Sequence, residues 1–167
     1  EILEDGYAQL YPADSSYALG LDSAEVAEDV DFGNRQLGEI RGTKWEDIDG
    51  DGERDDDEPG VEGWLIGLFH PPNLLVPSFT TNTDANGQYS FSAVDPDPWY
   101  VREGGDSAWT QTYPEAGFYS FTIDYDELVE NIDFGNYENP EISGSKWEDL
   151  DGDGEWEEGL EIGVEGW

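Results

Sequence analysis

Residues 44–60, KWEDIDGDGERDDDEPG, place nine carboxylates in the thirteen positions from Glu46 to Glu58. Such crowding repels itself unless something neutralises it. The spacing indicates what would do so. Counting from Asp47 as position one, Asp49 and Asp51 fall at three and five and Gly52 at six. Glu53 falls at seven, Asp55 at nine and Glu58 at twelve. This is the calcium-loop pattern D-x-[DN]-x-[DN]-G-x5-E in full. Calcium takes six to eight oxygens at roughly 2.3–2.6 Å. Alternate side chains converge on one point, glycine permits the sharp turn, and a two-oxygen glutamate closes the shell. Glu53 would contribute its backbone carbonyl. The remaining acids, Glu46, Asp56 and Asp57, are expected to face solvent or support the ligands. A solvated acidic turn is the bland alternative, but the full pattern rarely arises by chance.

The pattern returns at KWEDLDGDGEWEEGLEIG, residues 146–163. Asp149, Asp151 and Asp153 recur, followed by Gly154, Glu155 and Glu157. Position twelve is Leu160. One inserted residue moves the matching acid to Glu161, with Glu158 as a rival, so the closing ligand of this second loop stays open. Asp84 and Asn86, in TDANG, read first as turn formers and only second as another ion site. His70 sits in the loop sequence FHPPN, and a lone histidine there is incidental. The chain has two lysines, Lys44 and Lys146, each just ahead of an acidic loop. A lysine kept at one place in so acidic a chain implies a defined partner, if only a neighbouring carboxylate.

Composition narrows the function classes. Six Lys and Arg stand against 42 Asp and Glu in 167 residues, giving a formal net charge of −36. Nucleic acid and anionic membranes would be repelled, whereas a multivalent cation would be attracted. Seven Trp, nine Tyr and seven Phe supply core material that disordered acidic chains lack. There is no Cys, so no disulfide can assist. The longest apolar run, GWLIGLF, is far short of a membrane span. Carboxylates could form an acid/base pair. Here they sit in the loop pattern, with a single His and no nucleophile set, so the chain is not expected to be an enzyme. Adaptation to a high-salt cytoplasm would explain scarce lysine but not ordered D-x-D-x-D-G spacing.

The elements that must position these loops are repeated with them. DFGN occurs at 31–34 and 133–136, KWED at 44–47 and 146–149, and YP at 11–12 and 113–114. GVEGW at 163–167 matches 60–64 with one residue more of offset. The period is one small domain. The phase predicts a complete unit over 37–136. Residues 1–36 would be the closing part of a preceding unit, and 137–167 the opening part of the next. A window on a longer tandem array explains this; ends of neighbouring subunits completing one another would be the alternative. FYSFTID (118–124) alternates with Tyr119, Phe121 and Ile123 inward, and Tyr17, Leu19 and Leu21 repeat the pattern. QYSFSAV (88–94) alternates with Tyr89, Phe91 and Ala93 inward, after an Asn-Gly hairpin signal. Further strands are expected at 39–45, 61–69, 77–82, 99–103, 108–113 and 128–135. Short strands separated by turn signals imply an all-β fold, a β-sandwich. Trp99 and Trp109 are the aromatics a glycan-binding surface would use, though Trp109 aligns with Tyr7 and Trp64 with Trp167, which suits core packing.

ISGSKWEDLDGDGE, EPGVEGW, TDANGQYSF, WYVRE, WTQTYPEAGFYSFTI and NIDFGN together resemble the SdrD B-like repeats of serine–aspartate-repeat surface adhesins. These stand near the collagen-adhesin B-type, Ig-like or transthyretin-like sandwiches. The resemblance implies an extracellular or cell-surface protein, with calcium-bound β-sandwiches in tandem as a fibre or adhesin stalk. Its partners would be calcium and neighbouring copies of the repeat. A ligand-binding adhesion module for protein or glycan is the alternative. Related collagen-adhesin domains form an internal Lys–Asn amide assisted by a Glu. By that resemblance the candidates are Lys44, Asn136 and Glu103, against a salt bridge or plain strand pairing.

Overall fold

The computed structural model describes residues 2–166, which form strands, turns and loops with no helix among them. In chain order the strands are β1 (Tyr7–Tyr11), β2 (Gly33–Gln36), β3 (Gly38–Glu46), β4 (Leu65–Phe69), β5 (Phe79–Asn82) and β6 (Gln88–Val94). They continue as β7 (Pro98–Glu103), β8 (Trp109–Tyr113), β9 (Tyr119–Thr122), β10 (Leu128–Val129) and β11 (Phe134–Glu138). One sheet is built around β3, with β6 antiparallel on one side. On the other side β10 and then β11 run parallel to β3, and β8 lies antiparallel outside β11. The second sheet is antiparallel, in the order β5-β4-β7-β9.

The inward side chains of both sheets meet in one core. Ile40, Tyr89, Phe91 and Phe134 come from the first sheet, and Ile66, Leu68, Trp99 and Val101 from the second. Burying each such side chain is worth roughly 1.5–3 kcal/mol. Their shared cluster makes the two sheets a sandwich. The alternating pattern produces this directly at β9, where Tyr119 and Phe121 are half-buried, Ser120 and Thr122 exposed, and Ile123 fully buried just beyond the strand.

Four sequence expectations change. Ala93 does not point inward. It has φ +57°, lies exposed, and yields the inward place to Val94. Gly38 pairs with Val94 and Ile40 with Phe91, so two steps on β3 oppose three on β6, a bulge. The strand expected over 61–69 starts at Leu65. The strand expected over 128–135 divides into β10 and β11. Between them Asn131 takes φ +62° and Ile132 donates to the Arg41 carbonyl. The alternation at Tyr17, Leu19 and Leu21 forms no strand, and both leucines are more than half exposed. Its counterpart β9 is held by β7, and among the described residues nothing equivalent lies beside 17–21.

What residues 2–36 do form repeats the closing strands of the sandwich. β1 pairs β2 with Tyr7 opposite Gln36 and Tyr11 opposite Gly33. β8 pairs β11 with Trp109 opposite Glu138 and Tyr113 opposite Gly135. Tyr17 Oη donates to the Asp31 carbonyl at 2.8 Å, as Tyr119 Oη does to Asp133 at 2.9 Å. Tyr17 meets Phe32 edge-on at 5.5 Å, as Tyr119 meets Phe134. The Trp64 counterpart, Trp167, lies outside the described residues.

Candidate metal loop and buried lysine site

The first acidic loop leaves the end of β3 and returns to it. Glu46 N–H donates to the Pro59 carbonyl at 3.0 Å, Val61 N–H donates to Lys44 at 2.9 Å, and Trp45 bridges Gly60. Gly50 and Gly52 take φ +76° and +80°, a conformation that favours glycine. Inside the turn, the fully buried Asp47 carboxylate accepts the N–H groups of Gly50, Asp51 and Gly52 at 2.7–3.1 Å. Glu58, also buried, accepts Ile48 N–H at 2.7 Å and Asp55 N–H at 3.1 Å. Oxygens of Asp47, Asp49 and Glu58 lie within 4.8 Å of one another.

Of the six candidate ligands, these three are gathered. Asp51, Glu53 and Asp55 stand on the exposed part of the turn. Burial and the charges of Asp51, Asp49, Glu58 and Asp57 push the Asp55 carboxyl up from its ordinary value. Burial also raises the Asp47 carboxyl. The Thr112 hydroxyl and the N–H groups of Gly52, Gly50 and Asp51 outweigh that and hold it below its usual value. Thr112, on β8, had no signal in the sequence. Among the described residues no Lys, Arg or His forms an ion pair with a carboxylate of this loop. Converging, partly buried carboxylates with no ion-paired cationic side chain suit a hard, oxygen-seeking cation.

The second loop repeats this wiring. Asp149 accepts from Gly152 at 2.6 Å and Gly154 at 3.0 Å, as Asp47 does from Gly50 and Gly52. Asp149, Asp151 and Asp153 bring oxygens within 4.8 Å of one another. Of the two closing candidates, Glu161 holds the Glu58 position. It is buried and accepts Leu150 N–H at 2.8 Å and Glu157 N–H at 3.2 Å. Glu158, Glu155 and Glu157 are exposed. The inserted residue is therefore absorbed before Glu161.

Beside the first loop, the sandwich buries a lysine. Lys44 on β3 is fully buried, and its Nζ lies 3.8 Å from Oε2 of Glu103 on β7, whose side chain is 5% exposed. The ammonium donates to the Trp45 carbonyl at 2.9 Å and sits 4.8 Å from the Trp64 ring centroid. In the parallel β3–β11 pairing Lys44 opposes Phe134, which puts Asn136 two residues further along the same strand. Asn136 is buried as well. Its Oδ1 and the Oε2 of Glu103 are buried without a hydrogen-bond partner, a state rare enough to need a reason. Burial pulls Lys44 down to about 8, against the opposing pull of Glu103, Asp47 and Glu46. Burial lifts Glu103 to about 7, held back by the Lys44 charge and by the Asn136 and Trp64 side chains. Both shifts move the pair toward its neutral forms. Lys146, the repeat counterpart of Lys44, is exposed.

The remaining candidates fall elsewhere. Asp84 accepts the N–H groups of Asn86 and Gln88 at 2.8 and 2.9 Å, which is turn geometry. His70 is tied down, with Nε2 2.9 Å from Asp97 Oδ2 and its ring edge-on to Trp99. Trp99 is 4% exposed and so presents no face to a sugar. Trp109 packs edge-on against Trp64 at 5.6 Å.

The chain is similar to several known proteins. The chain is 30% identical over 122 residues to serine-aspartate repeat-containing protein F of Staphylococcus epidermidis, covering 66% of this chain and 7% of that protein. It is also 30% identical over 107 residues to Colossin-A of Dictyostelium discoideum, covering 60% of this chain and 1% of that one. The chain thus spans a small fraction of the relatives it matches. Among solved structures, the shaft pilin SpaA of Lactobacillus rhamnosus GG aligns over 61% of this chain and 51% of its own. That alignment has a TM-score of 0.45 and 9% identity. The SdrD B-like domain model matches residues 36–131, more than half of the chain, and the chain belongs to that family.

Proposed function

We propose that this chain is a structural segment of an extracellular or cell-surface fibre or adhesin stalk, built from tandem β-sandwich repeats that calcium stabilises. Residues 37–136 form one repeat, with 1–36 and 137–167 as parts of its neighbours. The observation that carries the reading is the convergence of Asp47, Asp49 and Glu58 in a turn where, among the described residues, none of the three is ion-paired to a cationic side chain, Arg54 of the same turn included. Asp47, Asp49 and Glu58 would hold the ion, with Asp149, Asp151, Asp153 and Glu161 as the second set. Calcium supplies the positive charge that offsets their repulsion. Because the loop closes on β3 through Glu46 and Val61, holding it together holds the strand on which the sandwich is centred. Binding to the folded state adds its free energy to stability, about 2.7 kcal/mol at a hundredfold excess over Kd. Thermal melting in calcium and in chelator tests this: the midpoint should fall in chelator, and an unchanged midpoint would refute it.

The buried triad supports a second element of the same reading, a Lys44–Asn136 amide. The neutral Nζ of Lys44 attacks Cγ of Asn136. The new C–N bond forms as the bond to the side-chain nitrogen breaks, and ammonia leaves. Glu103 gives its proton to the carbonyl oxygen and takes one from the attacking amine. As the tetrahedral adduct collapses it passes that proton to the departing nitrogen, which leaves as ammonia, and recovers the one on oxygen. What supports this is a buried lysine whose charge is disfavoured, ion-paired to a Glu103 that the Asn136 side chain also meets, with Asn136 Oδ1 and Glu103 Oε2 both buried without a hydrogen bond. Intact mass tests it, by a deficit of one ammonia.

A further inference from the structure

Acid is spread along this chain except in one place. From residue 63 to residue 83 there is no Asp, Glu, Lys or Arg. The run comprises β4, β5 and the loop joining them. It builds one margin of the sandwich, because β5 is the outermost strand of its sheet and pairs only with β4. Leu75 is 92% exposed, Val76 62% and Phe79 54%, with Leu65 half-exposed nearby on β4. The loop is anchored from below. Arg102 donates to the Leu74 carbonyl and lies 4.3 Å from the Phe69 ring centroid, which leaves the next two side chains pointing away from the body. Sheet edges are ordinarily guarded by charge or proline. Pro77 lies just ahead of β5, but the strand itself, Phe79–Asn82, carries neither. Here the protein has charge in abundance and has placed none of it there.

We propose that this margin is a lateral contact between copies of this chain, made by antiparallel pairing of β5 with β5 and by packing of Leu75, Val76 and Phe79 across the two-fold axis. The charge distribution selects the occupant. A basic partner would be drawn to the carboxylates that cover the rest of the surface, and a face cleared of acid offers it nothing. A partner carrying the same −36 charge is repelled everywhere except at such a face. A copy of the chain is that partner. The contact is self-complementary, as two-fold interfaces are, and would join the two four-stranded sheets edge to edge. Each contact is small, so it matters most where tandem repeats multiply it. It uses neither the acidic loops nor the buried lysine.

Sedimentation velocity of the 167-residue chain over a concentration series, at low and high sodium chloride, tests the proposal. A monomer–dimer equilibrium should appear and should strengthen with salt, because screening removes repulsion between the copies. The double variant L75D/V76D alters only exposed loop side chains. It should sediment as monomer under conditions where the parent dimerises, with an unchanged melting midpoint. F79D, on the strand itself, should likewise sediment as monomer, with a lowered melting midpoint because the Phe79 ring also packs on Trp99. A parent chain that stays monomeric throughout overturns the proposal, as does dimerisation that both variants retain or that salt weakens. Association lost in chelator while the fold persists would mark cation bridging between acids and also overturn it. Binding of the monomer to zwitterionic lipid vesicles through this loop, without self-association, would do so too.

Discussion

The backbone N–H of Asp47 donates to the carbonyl of Asn136 at 2.8 Å. This one bond joins the first residue of the acidic loop to the buried residue whose side chain meets Glu103, the partner of the buried lysine. It lies where β3 and β11 run parallel, so order in the loop is order in the main chain of Asn136. Amide formation should therefore proceed faster when the loop is held. A chain kept in denaturant and then diluted into buffer should lose ammonia about tenfold more slowly in chelator than in calcium. That corresponds to about 1.4 kcal/mol of positioning. Asp49→Asn, which touches neither Lys44 nor Asn136, should show the slower rate even in calcium. Time-resolved intact mass reads both, and equal rates would separate the two sites.

The proposed amide would close a loop of 92 residues between positions 44 and 136. By analogy with a disulfide of that span, it would restrict the unfolded chain by about 4–5 kcal/mol. Lys44→Ala and Asn136→Ala should both abolish the ammonia deficit and lower the denaturation midpoint. Glu103→Gln keeps the shape of the site but removes its exchangeable carboxyl proton. It should give a folded chain of full mass, which tells proton transfer apart from packing.

The titration of the pair sets a pH dependence. In the proposed reaction Lys44 would attack as the neutral amine, favoured above about 8, while Glu103 keeps its proton below about 7. The form with one proton shared between them peaks between those values. The rate of amide formation should therefore be greatest near pH 7–8 and fall on either side. Stability carries the same shifts with the opposite appearance. In Asn136→Ala the pair stays unreacted. Raised Glu103 makes the folded state hold a proton that the unfolded chain has lost, so stability falls as pH rises toward about 7. Lowered Lys44 makes the unfolded chain hold the extra proton, so stability recovers as pH rises from about 8 toward the ordinary lysine range. Denaturant midpoints across pH should trace that minimum, and a flat profile would place both groups in water.

The readable parts of this molecule are those where local pattern and long-range structure agree. Tyr119, Phe121 and Ile123 alternate and also have β7 beside them, so the pattern became a strand. Tyr17, Leu19 and Leu21 alternate equally well and have no such neighbour among the described residues, so the same pattern forms no strand. The acidic loop was legible because its geometry is local, set by Gly50, Gly52 and carboxylates a few residues apart. Thr112 beside Asp47 and Trp64 beneath Lys44 were not, because strands far apart in sequence bring them there. The bulge at Ala93 was hidden for the same reason. It adjusts β6 to the register of β3, and nothing within QYSFSAV announces it.

The second acidic loop gives a test in which two adjacent acids should behave differently. Glu161 is buried and gathers the N–H groups of Leu150 and Glu157, whereas Glu158 is exposed and takes neither. A glutamate that already bridges both sides of the turn is placed to close a coordination shell. One pointing to solvent would first have to unwind the turn. Calorimetric titration of the chain should therefore find two calcium sites. Glu161→Gln should lose one of them, Glu158→Gln should keep both, and Glu58→Gln should lose the other. Because 146–164 is more exposed than 44–61, the site lost in Glu161→Gln should be the weaker, and its loss should move the melting midpoint less than Glu58→Gln does. Equal effects of Glu158→Gln and Glu161→Gln would mean that charge density alone, and not the wiring of the turn, attracts the ion.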